Sequence, residues 1–249
     1  MRILIFAKRN AKEVLRDPIN LFFGLGFPLV LLALLSVING AIAPEANNPT
    51  FAIENLAPGL AMFGSVFMAL FAGMLLAKDR TSSFLTRLFT SPMTASDFLL
   101  GYTVPMLVMT VFQSAITLLA ACIIGLPFSI NIIPAIFITA ITSLLFIGIG
   151  LLAGSLMNDK AVGGICGALL TNVAGWLSGV FIPIALIGGA FKTITNMLPF
   201  YHSVETIRKV LNGNYSGIAL HLAIVLGYTV VIYMFAIIAF RHKMRGDKV

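Results

Sequence analysis

Residues 132–160 read IIPAIFITAITSLLFIGIGLLAGSLMNDK. Every position from Ile132 to Met157 is uncharged, and then Asn158-Asp159-Lys160 interrupts the run. About 20 apolar residues suffice for a helix to cross the hydrocarbon of a bilayer. This stretch therefore reads as a membrane span ending in a short polar turn.

The same pattern recurs on both sides of it. Candidate spans run over 19–43, 55–77, 98–124, 132–157, 161–187 and 217–240, and a Gly125–Asn131 turn separates the third from the fourth. Of 16 Lys and Arg and 9 Asp and Glu, none falls inside a span. One bare charge at mid-bilayer costs a few kcal/mol, so this exclusion supports the division. Composition agrees. The chain is 59% hydrophobic and 10% charged, with a mean hydropathy of +1.02, whereas soluble domains carry about 25% charged residues. A water-soluble globule is excluded. The expected fold is an all-α polytopic membrane protein, with one transmembrane domain over 1–249.

The basic excess invites a nucleic-acid reading, but its placement argues for topology instead. Arg2, Lys8, Arg9, Lys12 and Arg16 precede the first span. Lys78, Arg80 and Arg87 follow the second, Lys160 lies in the fourth turn, and Arg241, Lys243, Arg245 and Lys248 form the tail. The opposite side holds Lys192, Arg208 and Lys209. Lys and Arg concentrate on the cytoplasmic side of membrane proteins. Both termini are therefore expected in the cytoplasm, an even number of crossings placing them on one side, and no nucleic acid is expected as partner. Ala41-Ile42-Ala43 resembles a signal-peptidase site, but the apolar run before it, about 24 residues, exceeds a signal-peptide core. A retained first helix is expected.

Three segments outside the spans carry helical patterns. Residues 2–17 place Ile3, Leu4, Ala7, Ala11, Val14 and Leu15 on one face and Arg9, Lys12, Glu13 and Arg16 mainly on the other, with Pro18 as breaker. A basic amphipathic helix of this kind lies in the headgroup region, and the alternative is a charged flank that only fixes orientation. Residues 82–91 place Phe84, Leu85, Leu88 and Phe89 together, with Thr86, Arg87 and Thr90 facing away and Ser82 or Ser83 as N-cap. So short a helix cannot stand alone in water. Its apolar face needs the bilayer surface, the protein's own helix ends or a cytosolic partner, and periodicity leaves all three open. Residues 188–213 predict two short amphipathic helices around Pro199, the second carrying Glu205, Arg208 and Lys209 opposite its apolar face. They would lie at the outer membrane face or partly re-enter it.

Within the spans, Gly150 and Gly154 are four apart, and Gly163, Gly167, Thr171, Gly175 and Gly179 form a strict four-residue ladder. Small residues at this spacing let helices approach closely, so the ladder predicts packing within the chain, a dimer contact or the wall of a pathway. Gln113 and Asn172 are costly to bury and are expected to face other helices or a cavity. Catalytic chemistry is missing. The sequence has no GxxxxGK[ST] phosphate loop, no HExxH, no GxSxG and no His/Cys/carboxylate cluster for a metal. No carboxylate lies inside a span, which disfavours ion-coupled transport.

The pieces together resemble the membrane subunits of ABC-2 type transporters over essentially the whole chain. RILIFAKRNAKEVLRDP (2–18) is similar to that family's N-terminal elbow helix. KDRTSSFLTRLFTSPMTASDFLLGYTVP (78–105) resembles its segment after the second span. The most specific likeness is WLSGVFIPIALIGGAFKTITNMLPFYHSVETIRKVLNG (176–213), carried by Ser178, Gly179, Pro183, Leu198, Pro199, Tyr201 and Arg208. One departure is Lys78-Asp79-Arg80-Thr81-Ser82-Ser83, which lacks the family's usual glycine there.

The resemblance implies a compact exporter permease in a prokaryotic plasma or inner membrane. It would pair with a second copy or a paralogue and sit on two cytosolic ABC ATPase subunits that bind ATP and Mg. The helix around 82–91 would be the coupling helix. The first, second and fifth spans would supply the pathway and the dimer contact. Cargo classes in such systems include drugs, peptide antibiotics, lipids and polysaccharide precursors. The competing expectation is a stand-alone secondary transporter or a membrane-embedded enzyme.

Overall fold

The computed structural model describes residues 2–41, 51–88, 92–181, 184 and 188–246. Helix α1 (Arg2–Leu15) precedes the first span, α2 (Pro18–Ala41). The second span is α3 (Ile53–Thr81), followed by the short α4 (Ser83–Leu88). Spans three to five are α5 (Ala95–Ile124), α6 (Ile132–Leu156) and α7 (Asp159–Leu177). Then come α8 (Gly189–Met197), α9 (Pro199–Leu211) and the last span, α10 (Ile218–Gly246). Six of these helices are long and apolar enough to cross a membrane, and no strand occurs among the described residues.

Burial orders the bundle. In the most apolar part of α3, 83% of residues are buried, against 17% in α2 and in α10. The second span is thus the central post, and the first and last are peripheral. Its tightest neighbour is α6, and small residues make that approach possible. A Cβ on Gly150 would lie 1.9 Å from the Ala69 carbonyl oxygen, one on Gly154 would lie 2.4 Å from the Gly73 oxygen, and one on Gly73 2.5 Å from the Gly150 oxygen. Backbone touches backbone here, with room for hydrogen alone.

The helix ends follow local chemistry. Thr94 and Asp97 form a reciprocal capping box that starts α5. Asn158 caps α7 by accepting from the Ala161 N–H. Arg80 reaches from the end of α3 to the carbonyls of Ser155 and Met157 (2.7 Å for the latter), where the end of α6 exposes unpaired oxygens. Pro199 opens α9, where its missing N–H has no consequence.

The fifth span ends at Leu177, ten residues before the boundary read from hydropathy. Ser178 is the cap and Gly179 follows with φ +78°, the left-handed conformation that closes helices and favours glycine. Hydropathy continues past this point but the helix does not. Both α2 and α7 also contain a π-helical turn, at Phe22–Gly26 and Gly163–Leu170. A π turn shifts the register of everything after it.

Candidate functional site

Pro105 lies inside α5 and cannot donate the helical hydrogen bond that would close on the Gly101 carbonyl. Asn10 of α1 supplies the missing donor, its Nδ2 lying 3.0 Å from that oxygen. Helix α1 also approaches closely at Gly101, where a Cβ would sit 2.3 Å from the Phe6 ring. Phe6 and Asn10 are one helical turn apart, and with Val14 they form the buried edge of α1. Ala7 and Val14 of the face that periodicity picks out are buried as well, whereas Leu4 and Leu15 of that face lie off the docking edge and are exposed.

The Asn10 side chain is fully buried and continues the network. Its Oδ1 accepts from Arg9 Nη1 at 2.9 Å. The Arg9 guanidinium then grips the Asp79 carboxylate with both Nη atoms, Nη2 lying 2.9 Å from Oδ1. Tyr102 Oη donates to Asp79 Oδ2 at 2.8 Å. Burial opposes the charge on Arg9, but the hydrogen bond and field of Asp79 outweigh it and its pKa lies above the ordinary value. A fork-to-fork pair of this kind fixes geometry as well as charge. Helices α1, α3 and α5 are thus bound at one joint.

Helix α4 is set on that joint by aromatic packing. The Phe84 ring lies parallel to Phe6 at 6.4 Å, and the Arg9 guanidinium sits 4.2 Å from the Phe84 centroid. Phe6 in turn meets Tyr102 edge-on at 5.1 Å and Phe98 at 5.5 Å. Leu85 is fully buried. Of the three supports open for the apolar face of this helix, the protein's own helix ends take Phe84 and Leu85. Leu88 is half-buried. It lines an apolar groove of about 420 Å³ between α1 and α4, with Ile5, Phe6, Arg9, Phe84, Pro92 and Met93. Phe89 lies outside the described residues, as does the Arg87 side chain. Replacing Asn10 by alanine would leave the Gly101 carbonyl buried and unpaired. The expected loss is about 1–2 kcal/mol, read as a lower thermal midpoint with faster amide exchange in 2–15.

A second feature adjoins the joint. A cleft of about 500 Å³ is lined by Glu13, Arg16 and Asp17 around the first break, Pro18 and Asn20 of α2, Met74, Leu75 and Lys78 of α3, and Asp159 of α7. It mixes acidic and basic side chains and joins the first, second and fifth spans.

The other positions singled out from the sequence are dispersed. Gln113 is fully buried over Gly64, where a Cβ would lie 2.2 Å from its amide. Its Nε2 donates to Thr117 at 3.1 Å and its Oε1 has no partner. Asn172 is exposed and donates to the Ala168 carbonyl of its own helix at 2.8 Å. Thr171 Oγ1 donates to the Cys166 carbonyl at 3.1 Å. A Cβ on Gly163 would meet open space, one on Gly167 would meet Leu70 at 3.5 Å, and one on Gly175 would press on Phe181 at 2.8 Å. The π turn and the end of α7 thus separate the ladder's members.

At the end far from the joint, α9 is buried along Phe200, Ser203, Val204, Ile207 and Val210, with Pro199 buried at its start. Glu205 pairs with Arg208 at 2.7 Å. Burial, then the nearby Glu205, push the Tyr201 phenol up, with Arg208 opposing. His202 Nδ1 and His221 Nδ1 are 2.6 Å apart, and His202 Nε2 faces the Asn196 carbonyl at 2.8 Å. This pair links α9 to α10. Pro183 lies outside the described residues.

The residues that sequence reasoning missed are Arg9, Asn10, Asp79, Gly101 and Tyr102. One local signal existed: a proline four residues after a glycine frees a carbonyl that some donor must meet.

A family model described as ABC-2 type transporter matches residues 1–212. Nodulation protein J of Bradyrhizobium diazoefficiens is 27% identical over 235 residues, covering 92% of this chain and 85% of that protein. Nodulation protein J of Rhizobium meliloti is 22% identical over 231 residues, with the same coverage.

Proposed function

The chain belongs to the ABC-2 type transporter family, and from that premise we propose that it is the permease of an exporter driven by separate ATPase subunits. The observation that carries the proposal is the joint of Arg9, Asp79, Tyr102 and Phe84 beside an apolar groove. Without its own phosphate loop the chain needs a partner to hydrolyse ATP. The partner needs a rigid contact through which to move the spans. Helix α4 would be the coupling helix and α1 its brace. A push on α4 would pass through Arg9–Asp79 into α3, the central span, and through Asn10–Gly101 into α5.

On this reading the joint is cytoplasmic, ATP and Mg bind the partner ATPase, and two permease copies or paralogues face two ATPase subunits in a prokaryotic cell membrane. The charged cleft between the first, second and fifth spans is where a polar part of the cargo would meet the permease. The cargo would be a drug, a peptide antibiotic, a lipid or a polysaccharide precursor. The test is reconstitution in proteoliposomes with the cognate ATPase. The permease should raise ATP hydrolysis severalfold, and an unchanged rate would sink the proposal.

Topology gives a separate expectation. With Cys122 and Cys166 replaced by alanine, a cysteine at Lys12 should react with impermeant reagent only from the cytoplasm. A cysteine at Asn214 should react only from outside. Both residues are exposed. Labelling of both from one side would rule out six crossings.

A further inference from the structure

A second groove, of about 300 Å³, lies between α1 and α5 on the opposite flank of α1 from the joint. One wall is Leu4, Ala7, Ala11 and Leu15, and the other is Val104, Pro105, Val108, Met109 and Phe112. Ala7 and Ala11 leave the depression, and larger side chains at either place would fill it. Leu4, Leu15 and Phe112 are each more than half exposed and Val108 is half exposed, so this apolar surface needs lipid or protein to cover it. From Val104 to Phe112 the wall rises about 12 Å along the span, long enough to take part of an extended acyl chain.

The remaining lining residue is Lys8. It is exposed and has no ion-pair partner among the described residues, and neither has Lys12 one turn further on. A lysine stem lies along apolar surface while its ammonium seeks the headgroup level. Juxtamembrane lysines attract anionic lipids. We propose that this groove is a binding site for an anionic phospholipid, one acyl chain lying between α1 and α5 and the phosphate paired with Lys8. Lipid held there would press α1 onto Gly101 from the side opposite Phe84. It would make the brace of the joint dependent on membrane charge. The site rests on the membrane-spanning fold and not on the ATPase proposal.

The test uses the full chain in nanodiscs with Trp176→Phe and Phe112→Trp, so that the introduced tryptophan reports on the groove. Its fluorescence is quenched by brominated phosphatidylglycerol or brominated phosphatidylcholine in titrations of fixed total lipid. The expected result is at least threefold preference for phosphatidylglycerol, abolished by Lys8→Gln and restored by Lys8→Arg. Ala11→Phe should remove most of the quenching by either lipid. Thermal unfolding of each variant, expected to match the parent, separates loss of the site from loss of the fold. Equal quenching by the two lipids would make the groove ordinary bilayer contact and overturn the proposal. So would an absence of quenching, which would mean that protein, such as a second copy, covers the groove.

Discussion

Replacing Asp79 by alanine is expected to cost about 3 kcal/mol, the low end of the range for breaking a buried ion pair. Asp79 has 5% of its side chain exposed, whereas Arg9 keeps 32%, and this solvent contact softens the loss. After the substitution Glu13 at 3.7 Å is the remaining ion-pair partner of Arg9 among the described residues, and the Tyr102 hydroxyl loses its buried acceptor. The stack of Arg9 on Phe84 also loses its anchor. The check is thermal unfolding together with amide exchange. The midpoint should fall, and exchange should quicken in 2–15 and 83–88 before it does in the spans. Adding Arg9→Met to Asp79→Ala should cost less than the two single changes together, giving a coupling of at least about 1 kcal/mol. A wild-type midpoint for Asp79→Ala would remove the pair from any structural role.

Gly150→Val is expected to be more damaging still. Overpacking usually costs about 1–3 kcal/mol when side chains can yield. Here the obstacle is the Ala69 carbonyl group, 1.9 Å from the new Cβ, so α3 and α6 must separate along their length. The loss should exceed about 3 kcal/mol and appear as failure to recover monodisperse protein. Gly163→Ala is the matched control. Its Cβ meets open space, and its stability should stay within about 0.5 kcal/mol. If Gly150→Val purified with an unchanged midpoint, the close crossing of the second and fourth spans would be wrong.

The two glycines also show where sequence was legible and where it was not. Six spans were legible because charge is excluded from long apolar runs, and bilayer thickness leaves few alternatives. The Gly150/Gly154 spacing was legible as a close crossing, but its partner, Ala69 and Gly73, was not. The longer ladder on the fifth span has the same spacing, yet its members meet different surroundings. A π turn is a backbone choice that residue spacing does not encode. The end of α7 at Gly179 was hidden by apolar residues continuing beyond it.

At the candidate site, the short helix around Phe84 was visible through its pattern, but its support was not. Arg9 and Asp79 are 70 residues apart and each reads as ordinary flanking charge. Asn10 reads as a polar residue on a surface helix. Their meeting depends on how α1 crosses α5, which is set by Gly101 and Pro105. Hydrophobic periodicity carries no record of a hydrogen bond between two helices.

We propose that α1 and α4 together form the surface on which an ATPase subunit docks. Ile5 is 66% exposed at the groove and Leu88 is half-buried at its rim, so both can be charged while the joint behind them stays intact. The most direct measurement is the affinity of the purified ATPase subunit for the permease in nanodiscs, with and without Ile5→Glu and Leu88→Glu together. The predicted result is a loss of about 100-fold, corresponding to about 2.7 kcal/mol, with an unchanged thermal midpoint of the permease. Equal affinity in the doubly substituted protein would mean that the ATPase docks elsewhere.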